Sequence, residues 1–250
     1  MTASFHGAPC WYELATSDIT AAQTFYAAIL GWTIADSGTP GMDYRLAKAG
    51  DAMVAGLMPA MDGQPAAWSI YFAVDDCDAS TEAAKTMGAT VIVPPADIPN
   101  TGRFSVLIDP QGAAFALLQP LPGGVGGAFD QQKPRHGHWQ ELITPDPLTA
   151  LTFYGKLFGW TVARSVPMGP DLPYHIIALG GQEIGGSCAL PDTAPHWKPY
   201  FGVTSAKAAV TAVTAAGGTV VHGPDEVPGG SFTVQVRDPQ GVVFALDGGA

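Results

Sequence analysis

Two glutamates each follow a tryptophan by two positions, in Trp11-Tyr12-Glu13 and Trp139-Gln140-Glu141. In an extended strand, alternate side chains share a face, about 7 Å apart along the chain. Each pair therefore sets a carboxylate beside an indole. A carboxylate held against an apolar ring loses hydration, and its pKa is expected to rise. Three roles are open to Glu13 and Glu141. They could act as general bases on an acidic C–H or O–H proton, which makes them the candidate catalytic residues. They could anchor a cationic ligand. They could also be structural acceptors paired with Arg45, Arg103, Arg237 or backbone amides. The other aromatic residues divide by context. Trp32 and Trp160 follow helix stops and are expected in the core, whereas Trp68 and Trp197 begin strands. His175 follows Tyr174 as Arg45 follows Tyr44, so it is open to ligand contact or core packing.

Other chemistries find little support. The sequence holds no Walker loop, no GxGxxG after a strand, no GxSxG and no zinc-finger spacing. The six histidines include His136-Gly137-His138, which could chelate a metal alone but reads better as a polar strand entry. Cys10, Cys77 and Cys188 are widely spaced, so reduced thiols and a cytoplasmic setting are expected. The formal net charge of −11 disfavours nucleic acid and anionic membranes and mildly favours cationic ligands. No apolar run is long enough for a membrane span. The opening MTASFHGAPC lacks a basic n-region and an apolar h-region, so no secretory signal is expected.

These residues sit in a chain written twice. Trp11 recurs as Trp139, an offset of 139 − 11 = 128, and Glu13, Asp18, Phe25-Tyr26 and Gly31-Trp32-Thr33 recur with it. Later, WSIYFAV at Trp68 answers WKPYFGV at Trp197, and DPQGAAFAL at Asp109 answers DPQGVVFAL at Asp238, both at an offset of 129. The expected organisation is a domain at 1–120, a Gly/Pro-rich linker at 121–137 and a second domain at 138–250. Within each half the pattern repeats again. CWYELAT reads as a strand. Ser17 or Asp18 caps a helix with the stripe Ile19, Ala22, Phe25, Tyr26 and Ile29, and Gly31 ends it. A short piece near Trp32, DYRLAKAG and AMVAGLMPA read as strands, followed by the strand SIYFAVDD, the helix DASTEAAKTMG with Gly88 as its stop, the strand TVIVPP, and two further strands around a DPQG turn in FSVLIDPQGAAFALLQP. The prediction is strand, helix, three strands, four times over.

This arithmetic, with D…A..FY...FGW early and DPQG..FAL at the end, resembles the vicinal oxygen chelate superfamily of glyoxalases, extradiol dioxygenases and bleomycin-resistance proteins. The resemblance implies an α+β fold of two tandem glyoxalase-like domains, each of two βαβββ modules forming a curved, partly open, barrel-like sheet around a cavity. Modules could also be swapped between the halves. In the family a divalent metal is held by His, Gln or Glu at positions that map here to Trp11, Ser69 and Ala116, and to Trp139, Lys198 and Ala245. None of these is a metal ligand. The resemblance therefore implies a metal-free cavity with no cofactor. Expected ligand-binding residues are Trp11, Glu13, Trp68, Trp139, Glu141, His175 and Trp197, with Trp68 and Trp197 near the cavity mouth. The expected ligand is a small cationic or aromatic molecule, and a monomer or homodimer is expected. The alternatives are a lyase, isomerase or dioxygenase with a metal site elsewhere, and a non-catalytic structural protein.

Overall fold

The computed structural model of the chain describes residues 5–122, 126–169 and 172–250. Residues 1–4, at the start of the stretch assessed for a secretory signal, and 123–125, in the expected linker, lie outside the described residues. The strand, helix, three-strand order occurs four times. Module 1 is β1 (Pro9–Thr16), α1 (Ile19–Leu30), β2 (Thr33–Asp36), β3 (Arg45–Ala49) and β4 (Ala52–Pro59). Module 2 is β5 (Ala67–Ala73), α2 (Cys77–Thr86), β6 (Thr90–Ile98), β7 (Gly102–Ile108) and β8 (Ala114–Pro120). Module 3 is β9 (Gly137–Ile143), α3 (Pro147–Phe158), β10 (Thr161–Pro167), β11 (Pro173–Leu179) and β12 (Gln182–Cys188). Module 4 is β13 (His196–Ser205), α4 (Ala206–Ala215), β14 (Thr219–Glu226), β15 (Phe232–Arg237) and β16 (Val243–Gly249).

Local chemistry sets the helix ends. Asp18 caps α1 by accepting from the amides of Thr20 and Ala21 at 3.1 and 2.9 Å. Gly31 ends it at φ 62°, in the left-handed region open to glycine. Asp146 and Gly159 do the same for α3, with Pro147 in its first turn. The buried stripe of α1 is Ile19, Ala22, Phe25, Tyr26, Ile29 and Leu30, the predicted set extended by one residue. Helix α2 is capped one residue earlier than expected, at Met87, and Gly88 then takes the positive φ of 99°.

The strands form two mixed sheets, ordered β2-β3-β4-β1-β5-β8-β7-β6 and β10-β11-β12-β9-β13-β16-β15-β14. In each, the outermost strands are edges, so neither sheet closes into a barrel. Contacts group the modules differently. One compact unit contains modules 2 and 3 (1–10, 70–125 and 140–197), and the other contains modules 1 and 4 with residues 126–139 (11–69, 126–139 and 198–250). Part of the expected linker is thus built into the second unit. There Arg135 donates its amide to the Gly202 carbonyl at 2.6 Å and accepts the Trp32 indole N–H at 2.7 Å. Each unit buries an aromatic cluster on the helix-covered faces of its strands. In the unit of modules 1 and 4 the rings of Tyr26, Trp68, Phe201 and Phe244 pack with centroids 5.0–6.2 Å apart. No described helix is long and apolar enough to cross a membrane.

Candidate functional site

Strand β1 separates its side chains by face. Tyr12 and Leu14 are fully buried, while Trp11 and Glu13 on the other face are half-buried. Tyr44, just before β3, joins that pair. The Trp11 indole donates to the Tyr44 hydroxyl at 3.1 Å, and the Tyr44 hydroxyl donates to Glu13 Oε2 at 3.0 Å. A glycine makes this approach feasible. Gly56 on β4 is the register partner of Glu13, and a β-carbon there would collide with the Tyr44 hydroxyl. Burial, and then the charge of Glu13, push the Tyr44 phenol well above its usual pKa, which keeps it a donor.

Module 3 carries the same parts. Glu141 is buried and pairs in register with Gly186, and Tyr174 lies where a β-carbon on Gly186 would be. The two tyrosines were not among the expected site residues. A signal was present, since each tyrosine precedes its glycine by the same interval (56 − 44 and 186 − 174, both 12). Its meaning depends on strand pairing, which brings the glycine beside the glutamate.

The remaining expected ligand-binding residues lie elsewhere. Trp68 and Trp197 are 5 % and 4 % exposed and belong to the aromatic clusters on the helix-covered faces. Their indoles donate to Tyr26 and Tyr154 at 3.1 and 3.0 Å. His175 pairs in register with Ser187, which pairs with Leu142, so it faces away from Glu141 and beside a fully buried leucine. Its Nδ1 is 2.8 Å from the Ser165 hydroxyl. The arginines weighed as glutamate partners bond elsewhere. Arg45 meets Asp43, Gln23 and Thr20, Arg103 meets Asp78 and Asp97, and Arg237 donates to the Gly241 carbonyl. DPQG proves more than a turn. Asp109 and Asp238 each cap it with one carboxylate oxygen and accept a buried tyrosine hydroxyl with the other.

A divalent metal of the kind the fold family implies does not fit these residues. The Trp11 indole is occupied as a donor, Ala116 and Ala245 are buried methyl groups, and the Lys198 ammonium donates to Gln235 Oε1 at 2.9 Å. Among the described residues no three His, Cys, Asp or Glu side chains gather to hold an ion. The narrow space among residues including Phe72, Trp160 and Trp197, in the unit of modules 2 and 3, has no room for a water molecule, so it is a gap in aromatic packing.

Comparison with known proteins agrees with this architecture. The family model described as Glyoxalase/Bleomycin resistance protein/Dioxygenase superfamily matches residues 10–117 and 136–246. The chain belongs to that superfamily. It is 35 % identical over 249 residues to a Mycobacterium tuberculosis protein named "Putative glyoxylase CFP32", covering 96 % of this chain and 94 % of that one. It is 33 % identical over 268 residues to the anthracycline biosynthesis protein DauV of Streptomyces sp., covering 98 % and 94 %. Among solved structures, the 2,3-dioxygenase LapB from Pseudomonas sp. KL28 aligns with a TM-score of 0.69 at 15 % identity, over 99 % of this chain and 94 % of its own. The Mn(II)-bound glyoxalase from Novosphingobium aromaticivorans aligns with a TM-score of 0.67 at 17 % identity, over 98 % and 82 %. At these identities the two structures bear on the fold alone.

Proposed function

We propose that this protein binds a small aromatic molecule carrying a cationic or hydrogen-bond-donating group, without a metal, through the β1 face of Trp11, Glu13 and Tyr44. The observation that carries this reading is the Trp11–Tyr44–Glu13 hydrogen-bonded group, in which an indole edge and a phenol hold a carboxylate on a half-buried strand face. The carboxylate supplies charge and the rings supply stacking area. The acidic balance of the chain suits a cation. The similarity to a protein named for anthracycline biosynthesis supports an aromatic ligand. Trp139 and Glu141 offer the same residue types in module 3. Three buried cysteines that form no disulfide among the described residues support a reducing, cytoplasmic setting.

The experiment is calorimetric titration with an anthracycline whose sugar carries an amine. Glu13→Gln keeps the shape and removes the charge. Binding is expected to weaken by about 1.5–3 kcal/mol, the range for charge-assisted hydrogen bonds, with little change in stability. If the variant binds as well as the parent protein and only its fold weakens, Glu13 is a structural residue. A second reading, a metal-dependent enzyme, is favoured by the name of the mycobacterial relative. Stoichiometric metal whose removal abolishes turnover of a glyoxal-derived thiohemiacetal would establish it and displace the binding reading.

A further inference from the structure

The repeat supplies an internal comparison at the entrances to α1 and α3. Thr16 and Thr144 stand just before them, and Asp18 and Asp146 cap the helices two residues later. The other module of the same unit carries a glutamine in its DPQG turn, Gln240 for α1 and Gln111 for α3. The two frames match. Gln111 and Gln240 donate their backbone amides to Asp109 and Asp238 at 2.8 and 2.9 Å, which closes each turn. Each turn is tied to its helix by a buried tyrosine hydroxyl at 2.9 Å. Both caps have extended backbone, with φ −142° at Asp18 and −129° at Asp146.

The side chains nevertheless bond differently. In the unit of modules 2 and 3, Asp146 donates its amide to Gln111 Oε1 at 2.8 Å, and Gln111 Nε2 donates to the Asp146 carbonyl at 2.8 Å. The Thr144 hydroxyl, on a residue 1 % exposed, is left without a partner among the described residues. In the unit of modules 1 and 4, Asp18 donates its amide to Thr16 Oγ1 instead, at 3.4 Å. Here Gln240 Oε1 is the buried acceptor without a partner. Among the described residues these two atoms are the only buried side-chain polar atoms left unsatisfied. Each is the alternative acceptor for the same cap amide. One N–H satisfies one acceptor well, and a buried acceptor left unpaired is costly.

We infer that each unit carries a two-state clasp, in which the cap amide is held either by the glutamine of the DPQG turn (closed) or by the strand-end threonine (open). The unit of modules 2 and 3 is closed, and the unit of modules 1 and 4 is open and able to close. Flanking residues account for the difference. Asp146 lies between Pro145 and Pro147, whose rings restrict the cap in advance, whereas Asp18 lies between Ser17 and Ile19. The closed clasp makes two bonds of good length. The single bond of the open clasp exceeds the usual limit of about 3.2 Å. Closing it ties the turn of module 4 to the N-terminus of α1, beside the end of the strand that carries Trp11 and Glu13. The clasp does not depend on the binding reading above.

The test uses hydrogen exchange and urea denaturation of the full chain. Thr16→Val keeps the shape and removes the open-state acceptor, so Gln240 is expected to take the Asp18 amide. Exchange at that amide should slow about two- to tenfold, the factor that one net hydrogen bond is worth. Exchange that is unchanged or faster would overturn the inference. The closed unit is tested through its fallback. Gln111→Leu releases the Asp146 amide, and Thr144 Oγ1 is expected to accept it. Gln111→Leu should therefore lower the urea midpoint more in a Thr144→Val background than in the parent protein, because the second acceptor is gone. Equal losses in the two backgrounds would show that threonine and glutamine do not exchange the amide, and the clasp would be a fixed contact.

Discussion

The Tyr26 hydroxyl donates to Asp238 Oδ2 at 2.9 Å, joining residues 212 positions apart. Trp68 donates to the same hydroxyl, so a buried Trp–Tyr–Asp chain links α1 of module 1 to the DPQG turn before β16. The other unit repeats it with Trp197, Tyr154 and Asp109, at 3.0 and 2.9 Å. Each unit is therefore held by one module from each half of the sequence, through the same three residue types. Burial raises the Asp238 carboxyl above its usual pKa, against the lowering effect of the Val242, Gln240 and Gly241 amides and the Tyr26 hydroxyl.

Tyr26→Phe keeps the ring and removes the hydroxyl. A buried indole N–H and a buried carboxylate oxygen each lose a partner, at a cost of about 1–3 kcal/mol for a buried group left unsatisfied. Tyr154→Phe should behave alike. Urea denaturation reads this as a lower midpoint with an unchanged slope. An unchanged midpoint for both variants would show that these chains add nothing net to stability.

Gly56→Ala should dislodge Tyr44 from Glu13, since the new methyl group occupies the place of the hydroxyl. Overpacking of this kind costs about 1–3 kcal/mol. Trp11, losing its acceptor, should change its fluorescence. Gly186→Ala should dislodge Tyr174 in the same way. A crystal structure of the Gly56→Ala variant with Tyr44 in place would refute the expectation.

Stability should fall as pH rises through neutrality, because of His138. Its Nδ1 lies 2.9 Å from Asp247 Oδ2 and its Nε2 lies 2.8 Å from the Lys133 carbonyl. Neither acceptor can donate, so the imidazolium satisfies both and the neutral ring only one. Burial pulls its pKa down, but Asp247, the Lys133 carbonyl and the charge of Asp130 outweigh this and raise it. Asp130 itself pairs with the Lys133 ammonium at 2.9 Å. A raised folded pKa contributes stability that is fully present below the unfolded value of about 6.5 and is lost as pH rises through the folded value. His138→Gln should flatten the pH profile of the urea midpoint between about pH 6 and 8. A profile as steep as the parent's would assign the dependence to another group.

Chelation should leave the melting temperature unchanged, because the side chains at the mapped ligand positions are indole, hydroxyl, methyl and ammonium groups. Scanning calorimetry with and without a strong chelator reads this directly. A fall in melting temperature that added Mn²⁺ or Zn²⁺ restores would place a stabilising ion on the protein.

Much of the fold was legible in the sequence because its causes are local. Asp18 and Gly31 cap and stop a helix through their own backbone chemistry, and Ile19, Ala22, Phe25 and Tyr26 mark its buried face by spacing alone. The candidate site was legible only in part. Trp11 and Glu13 share a strand face by alternation, as expected. Tyr44 reaches Glu13 through strand pairing that puts Gly56 between them, and no spacing along the chain encodes that pairing. Trp68, Trp197 and His175 have residue types suited to a pocket, but the register turns them toward the opposite faces.

The sequence by itself determined four βαβββ modules in two copies, since periodicity, caps and turns act within a few residues of one another. Only the tertiary structure decided that module 1 packs with module 4 and module 2 with module 3. The modules present nearly the same apolar faces and the same Tyr and DPQG partners. Pairing within or between halves would satisfy those local patterns equally, and it is the three-dimensional packing of helices over sheets that selects one.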